Sequence, residues 1–241
     1  SGRARHLSLV EAGAGMTRGA AKRYRGFFAS QTRAMRVRAS EPGSVLLVMN
    51  TDTRSTTSPA LKLDKEGASL EDLTSLPWQT VVVAEDGFAE LGGGISVRSK
   101  PDGSVVVANR TTRELHDAIV WAPKHGATFF PTIAAGDTVL SSGGRSVFTP
   151  SGRRTVTAGS VTVHELDPAR FGVLLGKAGD EMAPLWTAMT AASGSSTDWW
   201  PDDAPVVLGE LRGGDVAKSD SGLRVESDVT LVRVVGEGGA T

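Results

Sequence analysis

Asp198, Trp199, Trp200, Asp202 and Asp203 are the nearest approach in this chain to a chemical site. Flat indole rings beside carboxylate acceptors suit a sugar ring, which stacks on aromatic faces and donates hydroxyl protons. A glycosidase also needs two carboxylates at a defined separation across a groove. This stretch supplies acids on one side only, so any second acid has to come from elsewhere. The same hexapeptide would serve equally as a lid whose rings cover a sheet edge. Ligand contact is therefore assigned to Trp199, Trp200, Asp198 and Asp202, with no catalytic residue named.

Other reactive patterns are missing. The chain has no Cys, which excludes disulfides, thiol nucleophiles and Cys-based zinc sites. Its histidines, His6, His116, His125 and His164, form neither H-x-H nor H-E-x-x-H. His116-Asp117 and His164-Glu165 put imidazole beside carboxylate, but adjacent strand residues point to opposite faces. His116 and His125 flank a predicted strand and could meet only at one end of a sheet. Gly13-Ala14-Gly15 lacks the later glycine and the following helix of a nucleotide loop, and Ser193-Gly194-Ser195 lacks the strand-turn-helix setting of a nucleophile elbow. No metal, no cofactor and no catalytic constellation is expected.

Charge points to a partner instead. Residues 1–40 hold nine basic side chains against Glu11 alone, a local net of +8, while the whole chain carries −1. Tyr24, Phe27 and Phe28 interleave with them. Lys22, Arg23, Arg25, Arg36 and Arg38 are the expected contacts for an acidic protein or an anionic membrane surface. A plain basic face balanced by acidic loops elsewhere fits the same residues. No nucleic-acid motif accompanies them, so nucleic acid is not an expected partner.

The elements that must position these residues are strands. With 241 residues, 39% of them hydrophobic and 22% charged, the chain can bury one large core or two smaller ones. Twenty-nine glycines suit many tight turns. From Ile95 to Leu140, short Val-, Ile- and Phe-rich runs alternate with turns such as Lys100-Pro101-Asp102-Gly103, the mark of a β-meander. Met35 and Val37 alternate with Arg36 and Arg38, and Val45–Met49 reads as a central strand, the two joined as a hairpin by Glu41-Pro42-Gly43-Ser44. Two local helical signals appear in the first half: Tyr24/Phe27/Phe28 spacing, and Ser69 capping a turn with Asp72. Glu85-Asp86-Gly87 reads as a turn. Over 167–192, an Asp-Pro start and the Met182, Leu185, Trp186, Met189 stripe predict helices docked outside the sheets.

The Gly92-Gly93-Gly94 run marks a boundary between a basic β-rich region, 1–94, and a β-rich region, 95–241, carrying the 167–192 helical insertion; the alternative is one domain. The fold class expected is mainly β, with antiparallel sandwich-like layers and one or two short docked helices. The Ser-Gly-Arg start reads as that of a processed or excised fragment.

The segment GSVVVANRTTRELHDAIVWAPKHGATFFPTIAAGDTVL resembles immunoglobulin-like β-sandwich modules in extracytoplasmic regions of bacterial membrane proteins. The features that carry the resemblance are Asn109 ending a strand, Leu115, the strand Ala118 to Trp121, and the Ala135-Gly136 turn. The resemblance implies a scaffold or protein-interaction role, an extracytoplasmic and membrane-anchored location, and no inherited catalytic residue. Two functional readings stand. One is a non-enzymatic structural or protein-interaction module; the other is a carbohydrate-binding module or glycan-active enzyme using the Trp199/Trp200 loop. A cytoplasmic location is the alternative placement, and the oligomeric state is open.

Overall fold

The computed structural model describes residues 2–49, 59–148, 154–158, 161–165, 201, 203–213 and 222–237. They are mainly β. Their only helical element is a 3-10 turn at Ser141–Gly143, and no helix among the described residues is long and apolar enough to cross a membrane. The expected helices over 167–192 lie outside the described residues. The chain divides into two compact units, Ser1–Ala12, Met16–Gly92 and Glu210–Val232 in the first, and Gly13–Gly15, Gly93–Gly209 and Arg233–Thr241 in the second.

The first unit is built from β1 (Gly2–Gly13), β2 (Arg18–Ala29), β3 (Arg33–Arg38), β4 (Val45–Val48), β5 (Ala60–Asp64), β6 (Gly67–Ser75) and β7 (Gln79–Glu90), with most of a late strand, Arg224–Val235. Its larger sheet runs from that late strand through β1, β2 and β7 to β4, and its smaller sheet is ordered β3-β6-β5. Period-two alternation puts Ala4, Phe27, Leu46, Val81 and Val83 of the larger sheet against Met35, Val37, Ala68, Leu70 and Leu73 of the smaller. Two layers closing over one apolar core make an antiparallel sandwich.

Several local signals are overridden by this pairing. The Tyr24/Phe27/Phe28 segment is not a helical turn. It lies inside β2, which pairs along its length with β1 and β7 and so satisfies its backbone on both edges. The Ser69–Asp72 segment likewise lies in β6, where Met35 faces Leu73 but Val37 faces Leu70. That register shift is a β-bulge, and Asp72 takes φ 57° within it. Glu85-Asp86-Gly87 is no turn either, since β7 runs straight through it. Nor do the strands around Glu41–Ser44 pair as a hairpin: β3 pairs with β6 and β4 with β7, so this turn carries the chain from one sheet to the other.

The second unit contains β8 (Ile95–Ser99), β9 (Val105–Asn109), β10 (Glu114–Ala122), β11 (Gly126–Ile133), β12 (Thr138–Leu140), β13 (Arg145–Phe148), the pair β14 (Arg154–Ala158) and β15 (Val161–Glu165), and β16 (Val206–Arg212), whose last three residues fall in the first unit. The late strand of the first unit is β17. The meander divides between a sheet ordered β12-β9-β8 and a run of hydrogen-bonded strands ordered β13-β11-β10-β16. The Lys100–Gly103 turn closes β8 on β9 as its sequence predicts, with Gly103 N–H donating to Lys100 O at 2.9 Å. Asn109 is fully buried, and its amide donates to the carbonyls of Arg113, Ile133 and Ala134 while its oxygen accepts from Thr111. One side chain thereby ties two loop carbonyls and the last carbonyl of β11 to the end of β9.

Candidate interaction surface

Alternation along β2 decides where the basic residues go. Arg23 and Arg25 share the inner face with Phe27, whereas Lys22 points out and is exposed. Arg25 is 4% exposed and pairs with Glu85 of β7, itself 1% exposed. Arg25 also donates to Arg38 O at 2.7 Å and to Ser40 Oγ. Glu85 accepts from Arg23 at 3.1 Å and from the Ser40 N–H at 2.9 Å. Arg23 donates further to Phe88 O at 2.6 Å and lies 3.9 Å from Glu41.

This network lies beneath the turn that joins the two sheets, and it ties the chain either side of Arg38–Ser40 to the middle of β7. Buried charges of this kind persist only when paired and hydrogen-bonded. Gly87 completes the fit, because a Cβ there would stand 2.1 Å from Ser44 Oγ.

On β3, Arg36 pairs with Glu71 at 2.8 Å and Arg38 with Glu66. Four of the five residues expected to meet an acidic partner are thus engaged with glutamates of the same unit, and Arg25 has no open face. Trp199, Trp200, Asp198 and Asp202 lie outside the described residues. The histidines are separate. His116 bonds Glu114 Oε2 at 2.8 Å near the start of β10, while His125 bonds Asp102 O at 2.9 Å in the turn after its end. No group of three or more metal-ligating side chains occurs among the described residues.

His6 is buried on the inner face, edge-on to Phe27 at 6.3 Å, and among the described residues neither ring nitrogen has a hydrogen-bond partner. Burial lowers its pKa from the ordinary 6.5, with the Arg25 charge adding to the effect and Asp228 and Glu85 opposing it.

The surface that stands open is one the sequence did not mark. Among the described residues, three strands end sheets in the first unit: β3, β5 and β4. The first two carry charges, Arg33, Arg36 and Arg38 on β3 and Lys62 and Asp64 on β5, which discourage pairing with another chain. β4 carries none. Read as a central strand, Val45–Met49 instead reaches the sheet edge, where Val45 is 63%, Leu47 62% and Met49 54% exposed. Met49 N–H donates to Val82 O at 2.8 Å. By antiparallel alternation the backbone groups of Leu46 and Val48 then point away from β7, toward the open edge. Beside the exposed row, half-buried Val82, Ala84 and Tyr24 continue the apolar outer face across β7 and β2.

No protein-family profile matches the chain, and no curated protein does. Among solved structures it is similar to the yeast delta-COP-I mu-homology domain, at 10% identity over 98% of this chain and 95% of that one, with a TM-score of 0.35. It is similar also to that domain complexed with a Dsl1 WxWxV peptide, at 9% identity over the same shares, with a TM-score of 0.33. These matches show no immunoglobulin-like extracytoplasmic module, and the extracytoplasmic, membrane-anchored placement expected from the sequence, which rested on that resemblance, is withdrawn. At these TM-scores the likeness supports nothing finer about this chain.

Proposed function

We propose that the chain is a protein-interaction module that takes an extended segment of a partner protein along the open edge of β4. The observation that carries this reading is the edge itself: an uncharged strand with outward-facing backbone groups at Leu46 and Val48 and an exposed row at Val45, Leu47 and Met49. An added strand would bond those backbone groups, and its alternate side chains would lie on the exposed row. Backbone bonds supply affinity with little sequence demand; the row supplies preference for apolar residues.

A photo-crosslinking residue placed at Leu47 tests this, with one at exposed Lys124 as control. The expected result is a heterologous adduct from position 47 alone, in which the Leu46 and Val48 amides exchange hydrogen more slowly than in the free chain. An adduct that leaves those two amides unprotected would reject strand addition. A product of twice the chain's mass would make the edge a self-association site instead.

A further inference from the structure

A second exposed feature lies on the same outer face, at the turn joining β6 to β7. Gln79 N–H donates to Leu76 O at 3.2 Å, closing the turn Leu76-Pro77-Trp78-Gln79. Pro sits where a type II turn favours it, and Trp78 occupies the next position with φ 63°. That position suits glycine or asparagine, and a bulky side chain there is a conformational outlier. Trp78 is also 75% exposed. The turn does not need it: Trp78 N–H to Ala29 O at 2.9 Å and the fully buried Ser75, 3.4 Å from the Leu76 and Gln79 carbonyls, brace the backbone without the indole. A fold that required only this turn would be better served by glycine.

The surroundings say what the ring would meet. Phe28 stands edge-on to it at 6.1 Å, and Arg3 covers the Phe28 ring at 5.0 Å. Thr80 and Arg3 flank Phe28 in register on the outer face. Arg224 is exposed two residues from Glu226 and therefore shares its face. Glu226 reaches both Arg3, at 3.5 Å, and Arg5, at 3.3 Å. Asp228 shares that face by the same alternation, so three arginines against two carboxylates leave a net charge of +1 beside the aromatic pair. Aromatic anchors with arginines are the usual makings of a binding hot spot.

We infer that Trp78, Phe28 and Arg3 form an anchor site for an acidic peptide segment, taking an aromatic side chain on the indole face and a neighbouring carboxylate on the arginines. The inference rests on the proposed function for its class of partner, and it concerns a different set of residues from the β4 edge.

Three N-acetylated pentapeptides test it on the full chain at low salt: Gly-Asp-Phe-Asp-Gly, its Asn-for-Asp analogue and its Ala-for-Phe analogue. The Trp78 indole N–H resonance, assigned with W78F, reports binding. The Asp/Phe peptide is expected to shift it, with each analogue bound at least about tenfold more weakly, as a lost hot-spot contact implies. R3Q should weaken the first peptide several-fold and reduce its preference over the Asn analogue. W78G should remove binding while leaving the melting temperature unchanged or higher, because glycine suits the turn.

Equal binding of the Asp and Asn peptides would overturn the inference. So would a marked fall in melting temperature for W78G, which would make the ring structural. A Trp78 shift on adding phosphatidylserine vesicles, with none from any peptide, would assign the site to a membrane surface instead. L47K blocks strand addition at β4 but leaves the pentapeptide shift intact, so failure at one site is distinguishable from failure at the other.

Discussion

Replacing Glu85 with Ala should be the most damaging single change in the first unit. It leaves Arg23 and Arg25 facing a hole where their shared carboxylate stood, with Arg25 95% or more removed from solvent by its 5% side-chain exposure. Removing one partner of a buried ion pair costs about 3–5 kcal/mol. Two arginines and the Ser40 N–H lose their acceptor together, which puts the expected loss at about 4 kcal/mol. With a urea dependence of about 2 kcal/mol per molar, the unfolding midpoint should fall by about 2 M.

The double variant R25M/E85M is the decisive comparison. It replaces the pair by apolar side chains of similar reach, and it should be more stable than E85A, because no buried charge stays unmatched at the Arg25 position. Equilibrium urea unfolding followed by circular dichroism reads both. A loss below about 1 kcal/mol for E85A, the range of a solvent-exposed bridge, would refute the claim that this network pins the two sheets. Strict additivity of R25M and E85M would refute the coupling between the two residues.

Stability should also fall on mild acidification through His6. Its folded pKa lies below 6.5, so the folded chain keeps the ring neutral while the unfolded chain takes up a proton. The contribution is complete above about pH 6.5 and is lost as pH falls from there toward the folded value. Arg25, Glu85 and Asp228 are the charges that act on the ring, and H6F should flatten this part of the profile; an unchanged slope would count against it. Gly87→Ala should cost about 1–3 kcal/mol by driving a methyl into Ser44. The companion change Ser44→Gly should recover most of that loss in a thermal melt, and no recovery would place the strain elsewhere.

How much of this was legible beforehand follows the range of the interactions. The recurrence of short Val- and Ile-rich runs between Gly and Pro turns identified a mainly β, antiparallel protein, because alternation and turn chemistry act over a few residues. The alternation of Met35 and Val37 with Arg36 and Arg38, and the Lys100–Gly103 turn, are legible for the same reason. Strand pairing is not local. Nothing around Tyr24 or Ser69 announces that β2 has neighbours on both sides, or that β6 holds a bulge, so a helical spacing of aromatics and an apparent cap misled there.

The site depended still more on distant partners. Arg25 reads as a surface cation until Glu85, sixty residues later, is brought opposite it. Glu85-Asp86-Gly87 reads as a turn until Ser44 packs on the glycine. Val45–Met49 looks like a central strand because a continuous apolar run cannot reveal whether one of its edges is open. Pro77-Trp78 does not announce its turn, since that second position calls for glycine or asparagine, and the exposure of Trp78 is a property of the assembled sheet. Composition and periodicity determined the kind of architecture. Which charges are sequestered, which edge is left unpaired and which ring meets solvent were decided only when residues far apart in the chain competed for the same interior.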